Sequence, residues 1–238
     1  MNATFENRYT AGRRLAEALL DYRDIPDLLV LALPRGGVPV GYEIARALGA
    51  ELDVMVVRKL GVPYQPELAM GAIATAGAQY FNDDVILASG LKQEQVDAVI
   101  REQQAELERR EKAYRGEKQP PAIGERTVIV VDDGIATGAS IQVAIKALRS
   151  LEPETIVVAV PVAPIEGARR LTAVADDFVC LLTPTPFYAV GQWYRDFRQT
   201  TDEEVRELLE KAQTEWKSGM QSVKKTASQP KTKHGIDL

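Results

Sequence analysis

The sequence predicts an α/β fold, a doubly wound, mainly parallel five-stranded sheet flanked by helices. Three observations carry this. Five short runs rich in Val, Ile and Leu, at 28–33, 52–57, 128–131, 155–162 and 178–182, show little polar alternation, as strands covered on both faces do. Helical patterns lie between them, and strand alternating with helix predicts parallel pairing through crossovers. At 238 residues the chain can bury the core of one generous domain.

Taken in order, a helix over 10–22 leads into the first strand, and helix 39–48 separates it from the second. Residues 60–82 carry Gly61, Pro63, Pro66, Gly71 and Gly77, which spoil a helix and predict a mobile loop or hairpin. Segment 91–115 reads as a charge-rich helix. Its apolar positions, Leu91, Val96, Val99, Ile100 and Leu107, make a thin stripe, so much of it should face solvent. Pro120 and Pro121 end it. Strand 128–131, helix 139–151, strand 155–162, helix 166–174 and strand 178–182 follow. A last helix over 202–216 has Thr200 or Thr201 as N-cap and Glu204 placed for a capping box. Residues 1–216 therefore read as a single domain, and 217–238 as a disordered basic tail in which Gly219, Pro230 and Gly235 discourage a helix.

Bulk properties narrow the function. The composition is 45% hydrophobic and 26% charged, ordinary for a globular protein. No apolar run reaches the roughly 18 residues of a membrane span, and residues 1–10 are too polar for a signal peptide. The single cysteine, Cys180, excludes a disulfide framework and lies in an apolar run, which predicts a buried thiol and a cytoplasmic setting. The net charge is −5. Five lysines and one acid make 217–238 about +4, leaving about −9 on the rest. An acidic body argues against a nucleic-acid partner. The only histidine, His234, lies in the tail, so Ser-His-Asp, Cys-His and zinc chemistry are improbable.

The chemistry is concentrated in V-I-V-V-D-D-G-I-A-T-G-A-S, from Val128 to Ser140. A strand runs into two adjacent carboxylates, then into a small-residue loop that opens a helix. Ligands bind at the carboxyl ends of strands in such sheets. Gly134 and Gly138 allow close backbone approach, Thr137 and Ser140 add hydroxyl donors, and the N–H groups of the helix start face an anion. A Walker A loop would need Gly-Lys, but Ala139 follows Gly138, and G-x-G-x-x-G occurs nowhere. Asp132 and Asp133 beside a phosphate loop suit a ligand with both a phosphate and ribose hydroxyls.

This segment resembles the phosphoribosyl pyrophosphate (PRPP) motif of the type I phosphoribosyltransferases. The resemblance implies that Asp132 and Asp133 hold the ribose hydroxyls and, with them, Mg²⁺. Gly134, Ile135, Ala136, Thr137, Gly138, Ala139 and Ser140 would cradle the 5′-phosphate. A second unit, L-A-L-P-R-G-G-V-P-V-G at 31–41, is similar to the family's pyrophosphate loop, with Arg35, Gly36, Gly37 and Val38 in it and a strained peptide that turns N–H groups toward the diphosphate. In V-V-R-K at 56–59, Lys59 would meet the diphosphate, with Arg58 in reserve. The family then implies a flexible loop over 60–82 that closes on the reacting centre, which with the helix after it makes a flexible loop and helical insertion, and a hood at about 183–201 where Phe187, Trp193 and Tyr194 could stack on an acceptor; a plain hydrophobic cap is the other reading of those aromatics.

The implied activity is transfer of ribose 5-phosphate from PRPP to a base or other nitrogen acceptor with release of pyrophosphate, Lys59, Asp132 and Asp133 being the catalytic set. The alternative is a PRPP- or nucleotide-binding regulatory protein without transferase activity; a phosphosugar hydrolase is a third possibility. One departure matters: relatives that use 6-oxopurines often place an aspartate where this chain has Ala136, so hypoxanthine and guanine are expected to be poor acceptors. Relatives are commonly dimers, which makes a homodimer the candidate assembly, though nothing in the sequence itself demonstrates one.

Overall fold

The computed structural model describes residues 5–227, with side chains described through Gly219. Its core is a five-stranded sheet built from β1 (Leu29–Ala32), β2 (Glu51–Val54), β6 (Thr127–Val131), β7 (Thr155–Val162) and β8 (Asp177–Leu182), in the order β2-β1-β6-β7-β8. Every pairing is parallel. The doubly wound fold predicted from the apolar runs is the fold observed. β1 and β6 are buried throughout, as strands flanked on both sides and both faces must be. β8 departs from expectation: it is an edge strand and is mostly half-buried.

Side chains alternate between the two faces. Val30, Ala32, Ile129 and Val131 pack under α1 (Arg8–Glu17), α2 (Gly37–Leu48) and α7 (Asp202–Ala227). Leu29, Leu31, Val128 and Val130 pack under α5 (Ala139–Arg149) and α6 (Ile165–Thr172). Each fully buried Val, Leu or Ile contributes roughly 1.5–3 kcal/mol, so this double coverage dominates the stability of the sheet. It also sends the helices after β1 and β6 to opposite faces.

Residues 60–82 form a hairpin, the second of the two expected forms. β3 (Val57–Val62), β4 (Gln65–Ala74) and β5 (Gln79–Phe81) make a separate antiparallel sheet, with register shifts around Gly61. The strand expected over 52–57 is therefore split. The chain leaves the main sheet after Val54, and the Val56 N–H donates to Thr75 Oγ1 at 2.9 Å as it enters the hairpin. A short α3 (Asp83–Ala88), with Asn82 as N-cap, precedes α4 (Gln93–Arg115).

The buried Arg115 fastens the end of α4. Its Nε donates to Asp53 Oδ1 and Oδ2 at 2.7 and 2.8 Å, and Nη2 donates to the Val54 carbonyl at 2.6 Å. In α7, Thr201 is the N-cap, accepting from the Glu204 N–H at 3.1 Å. The Glu204 carboxylate is held instead by Tyr9 Oη at 2.8 Å. The tail expected from Lys217 is corrected over its first part: α7 continues to Ala227. One glycine inside a helix costs only about 1 kcal/mol against alanine, so Gly219 does not stop it. The remainder of the expected tail, with His234, lies outside the described residues. Among the described residues no helix is long and apolar enough to cross a membrane.

Candidate active site

Renumbered within the core sheet, the strand order is 2-1-3-4-5, and β1 and β6 are its switch point. Ala32 and Val131 are register partners, so the loops after β1 and β6 leave the sheet side by side. The Leu33 N–H donates to the Val131 carbonyl at 2.8 Å, tying the first loop to the second. Contact is so close at Gly36 that any Cβ there would overlap the Asp133 carboxylate. The two motifs, about a hundred residues apart in sequence, thus meet at one crevice. The Pro34–Arg35 peptide in the first loop is cis.

Asp132 lines this crevice, and the Asp133 carboxylate lies against Gly36. Asp132 Oδ1 accepts from the Asp133 N–H at 2.8 Å. Burial, and then the neighbouring Asp133 charge, hold the Asp132 carboxyl well above the usual carboxylate range. Burial also raises Asp133, opposed by the Arg8 guanidinium, whose Nε donates to Asp133 Oδ2 at 2.7 Å. Beyond the acids, Asp132 and residues 134–141 line a cavity of about 160 Å³. Gly138 takes φ +77°, a left-handed conformation that side chains disfavour, and this turns the loop into the N-terminus of α5. The Ile135 N–H is used by the Val162 carbonyl at 2.9 Å, while Ala136 and Thr137 are exposed. A strand end, a carboxylate pair and orphan helix amides together can bind a polyol that carries a phosphate.

The model of the phosphoribosyl transferase domain matches residues 3–192. The chain belongs to that family. Two curated Mycobacterium tuberculosis proteins, from strains CDC 1551 / Oshkosh and ATCC 25618 / H37Rv, are each 48% identical to the chain over 209 residues, and their names assign them provisionally as phosphoribosyl transferases. The alignment takes in 87% of this chain and 47% of each relative, so the chain spans about half the length of the curated relatives it matches. The crystal structure of a Thermus thermophilus protein superposes with TM-score 0.78 at 41% identity, over 87% of this chain and 97% of that one.

Other predicted residues of this phosphoribosyl transferase domain fall around the crevice in different ways. Lys59 is exposed on β3 and lines a second cavity, of about 370 Å³, with Pro34, Arg58 and Ser140. Arg58 is engaged, donating through Nε and Nη2 to Gln103 Oε1 at 3.0 and 2.6 Å. Arg35 turns toward the start of α7, with Nη1 3.8 Å from Asp202 Oδ1. The Val38 side chain is core. The N–H groups of Gly37 and Val38 are spent on the Leu33 and Arg35 carbonyls.

The three hood aromatics mainly close the fold. Trp193 and Tyr194 are buried with Phe5, Ala11 and Val162, and half-buried Phe187 stacks on Trp193 at 6.4 Å. Their packing is that of the hydrophobic cap. Tyr194 Oη donates to the Asp133 carbonyl, which links this cap to the acidic pair.

Arg8 was not signalled by any motif, since a lone arginine near the N-terminus carries no spacing. Its guanidinium sits 4.0 Å from the Phe197 ring centroid, and Nη1 donates to the Arg198 carbonyl at 2.7 Å. The N-terminal helix and the segment after the cap are thereby joined at Asp133.

Proposed function

We propose that the chain transfers the ribose 5-phosphate of PRPP to a nitrogen acceptor and releases pyrophosphate. The single observation that carries this is the meeting of the two loops at the switch point, with the Asp133 carboxylate against Gly36. A phosphate loop alone would suit many ligands. A phosphate loop, a carboxylate pair and a second loop with a lysine beside it match a sugar with phosphate at one end and diphosphate at the other.

In this reading the small cavity takes the 5′-phosphate, held by loop amides and by the Thr137 and Ser140 hydroxyls. Asp132 and Asp133 accept from the ribose 2′- and 3′-hydroxyls. The amides of Arg35 and Gly36, which have no partner among the described residues, face the diphosphate together with Lys59. Lys59 is preferred to Arg58, which Gln103 already holds. The acceptor nitrogen attacks C1 as the bond to the diphosphate breaks, and positive charge grows on the ribose. The two carboxylates then stabilise it electrostatically.

The donor set accommodates Mg²⁺ in one form. Among the described residues no group of three or more His, Cys, Asp or Glu side chains is placed to hold a metal ion by itself. Mg²⁺ typically binds through one or two carboxylates plus substrate phosphates, and Asp132 and Asp133 are suited to that. When bound it supplies neutralisation of the diphosphate charge.

Ala136 offers no carboxylate to the acceptor, which favours one that needs no strong base from the phosphate loop. Calorimetry with PRPP and Mg²⁺, followed by pyrophosphate-release assays against a panel of bases and amines, tests the proposal. Release is expected with at least one planar acceptor, and only slowly with hypoxanthine or guanine. A wild-type chain that does not bind PRPP overturns it, and binding without release on any acceptor points to the regulatory alternative.

A further inference from the structure

The larger cavity has a wall that the loop motifs do not supply. Besides Lys59, Arg58 and Ser140 it is lined by Arg110, from α4, and no carboxylate lines it. The position of Arg110 is fixed by its helix face. Gln103, Leu107, Arg110 and Tyr114 follow at steps of four, three and four residues, and so share one stripe. Gln103 binds Arg58, Leu107 is buried in the core, and Tyr114 Oη donates to Asp202 Oδ1 at 3.1 Å. Arg110 therefore faces the crevice between two anchored neighbours. Its Nε donates to Glu106 Oε1 at 2.7 Å, and its terminal nitrogens have no partner among the described residues. Arg109 differs: it spends Nε and Nη2 on Glu106, at 2.7 and 3.0 Å, and does not line the cavity.

We propose that Arg110 is a diphosphate ligand, its terminal N–H groups binding the diphosphate of PRPP across the cavity from the PRPP loop. When the C1–oxygen bond breaks, the diphosphate departs with the bonding electrons, and Arg110 holds the added charge. A guanidinium suits this task because its fork of donors matches phosphate oxygens, and Glu106 restrains it through Nε alone. The helix expected to face solvent over much of its length is thus a wall of the site. The inference rests on the transferase reading, yet it can be tested apart from it, because inorganic pyrophosphate is itself a probe.

The experiment is calorimetric titration with inorganic pyrophosphate and Mg²⁺, and separately with ribose 5-phosphate, of the wild type, Arg110→Gln, Arg110→Lys and Arg109→Gln. Arg110→Gln should lose on the order of tenfold or more in pyrophosphate affinity, as expected for a charge-assisted hydrogen bond. Its ribose 5-phosphate affinity and melting temperature should stay at the wild-type values. Arg110→Lys should lose less, and Arg109→Gln should bind as the wild type does. Wild-type pyrophosphate affinity in Arg110→Gln overturns the proposal, as does an equal loss in Arg109→Gln or no pyrophosphate binding by the wild type. If the wild type binds pyrophosphate but not PRPP, the transferase reading falls, and a loss in Arg110→Gln then leaves Arg110 only as a ligand of free pyrophosphate. If it binds PRPP and Arg110→Gln matches it on pyrophosphate, only the Arg110 assignment falls.

Discussion

Asp132 and Asp133 work against the stability of the fold that holds them. Both carboxyls are raised by burial; Arg8 offsets the cost by direct contact at Asp133 and only through its more distant charge at Asp132. The sign follows from linkage. A carboxyl whose folded pKa lies above its unfolded one binds more protons when folded. Stability therefore falls as pH rises from the unfolded to the folded pKa, and the cost is complete above that window. Asp132→Asn should accordingly melt higher than the wild type at pH 7, with the difference shrinking toward pH 4. The same change should weaken PRPP binding if the carboxylate holds the ribose. Thermal melts across pH, paired with PRPP titration, check both halves, and a lower melting temperature at pH 7 would contradict the electrostatic account. Asp133→Asn should weaken PRPP far more than inorganic phosphate, because it leaves the loop amides untouched. Equal losses would remove Asp133 from the ribose site.

The elements that frame the crevice are held by contacts distant from it. Arg115 ends α4 in a buried pair with Asp53, whose carboxyl is raised by burial and pulled back by Arg115. Removing one partner of such a pair strands the other charge, and the usual cost is roughly 3–5 kcal/mol. Arg115→Ala should therefore unfold at markedly lower denaturant than the wild type, while Arg109→Ala on the exposed face should change little. Chemical denaturation of the two variants decides it. The hairpin and α4 are joined by Arg58 and Gln103, so loosening α4 should also loosen the hairpin that carries Lys59. The thin apolar stripe of α4 was visible in the sequence, with Leu107 within it. The use of the same face for Gln103, Arg110 and Tyr114 was not, because polar residues at helical spacing look alike whether they meet solvent or a binding site.

At the scale of the molecule, α7 and the segment around Phe5 close the sheet. α7 buries Val205, Leu208 and Ala212 in the core cluster that includes α1 and α2, and Phe5 joins the cap around Trp193. No buried position of α7 lies beyond Ala212 among the residues whose side chains are described. The segment after Gly219 is mostly polar and basic in sequence, so a chain ending at Gly219 should melt at the wild-type temperature and bind PRPP unchanged. Circular dichroism and calorimetry check this, and a lower melting temperature would mean that the segment after Gly219 packs on the body. Replacing Trp193 with Ala belongs to the same scale. A Trp→Ala change in a buried cluster costs about 3–5 kcal/mol, so the variant should lose stability in a melt.

The strands of the main sheet, their parallel pairing and the strand–loop–helix unit proposed for the phosphate were legible because each rests on local chemistry. Unalternated Val and Ile mark a strand covered twice, and two acids before a Thr-Gly loop mark a strand end suited to a ligand. Gly36 was legible as part of a loop but not for its reason, which is the Asp133 carboxylate lying against it from a different βα unit. Arg8, Arg110 and Arg115 were silent for a related cause: a single arginine has no periodicity, and its partner is chosen by the packing of elements far apart in the chain. The amphipathic aromatics of the hood could have turned either way in sequence, toward a ligand or into a cap, and the burial of Trp193 and Tyr194 around Phe5 followed from where the N-terminal segment lay. Sequence alone determined the core strands and marked the loop proposed for the phosphate, since those depend on neighbours in the chain. Tertiary structure decided which charges meet, because that depends on neighbours in space.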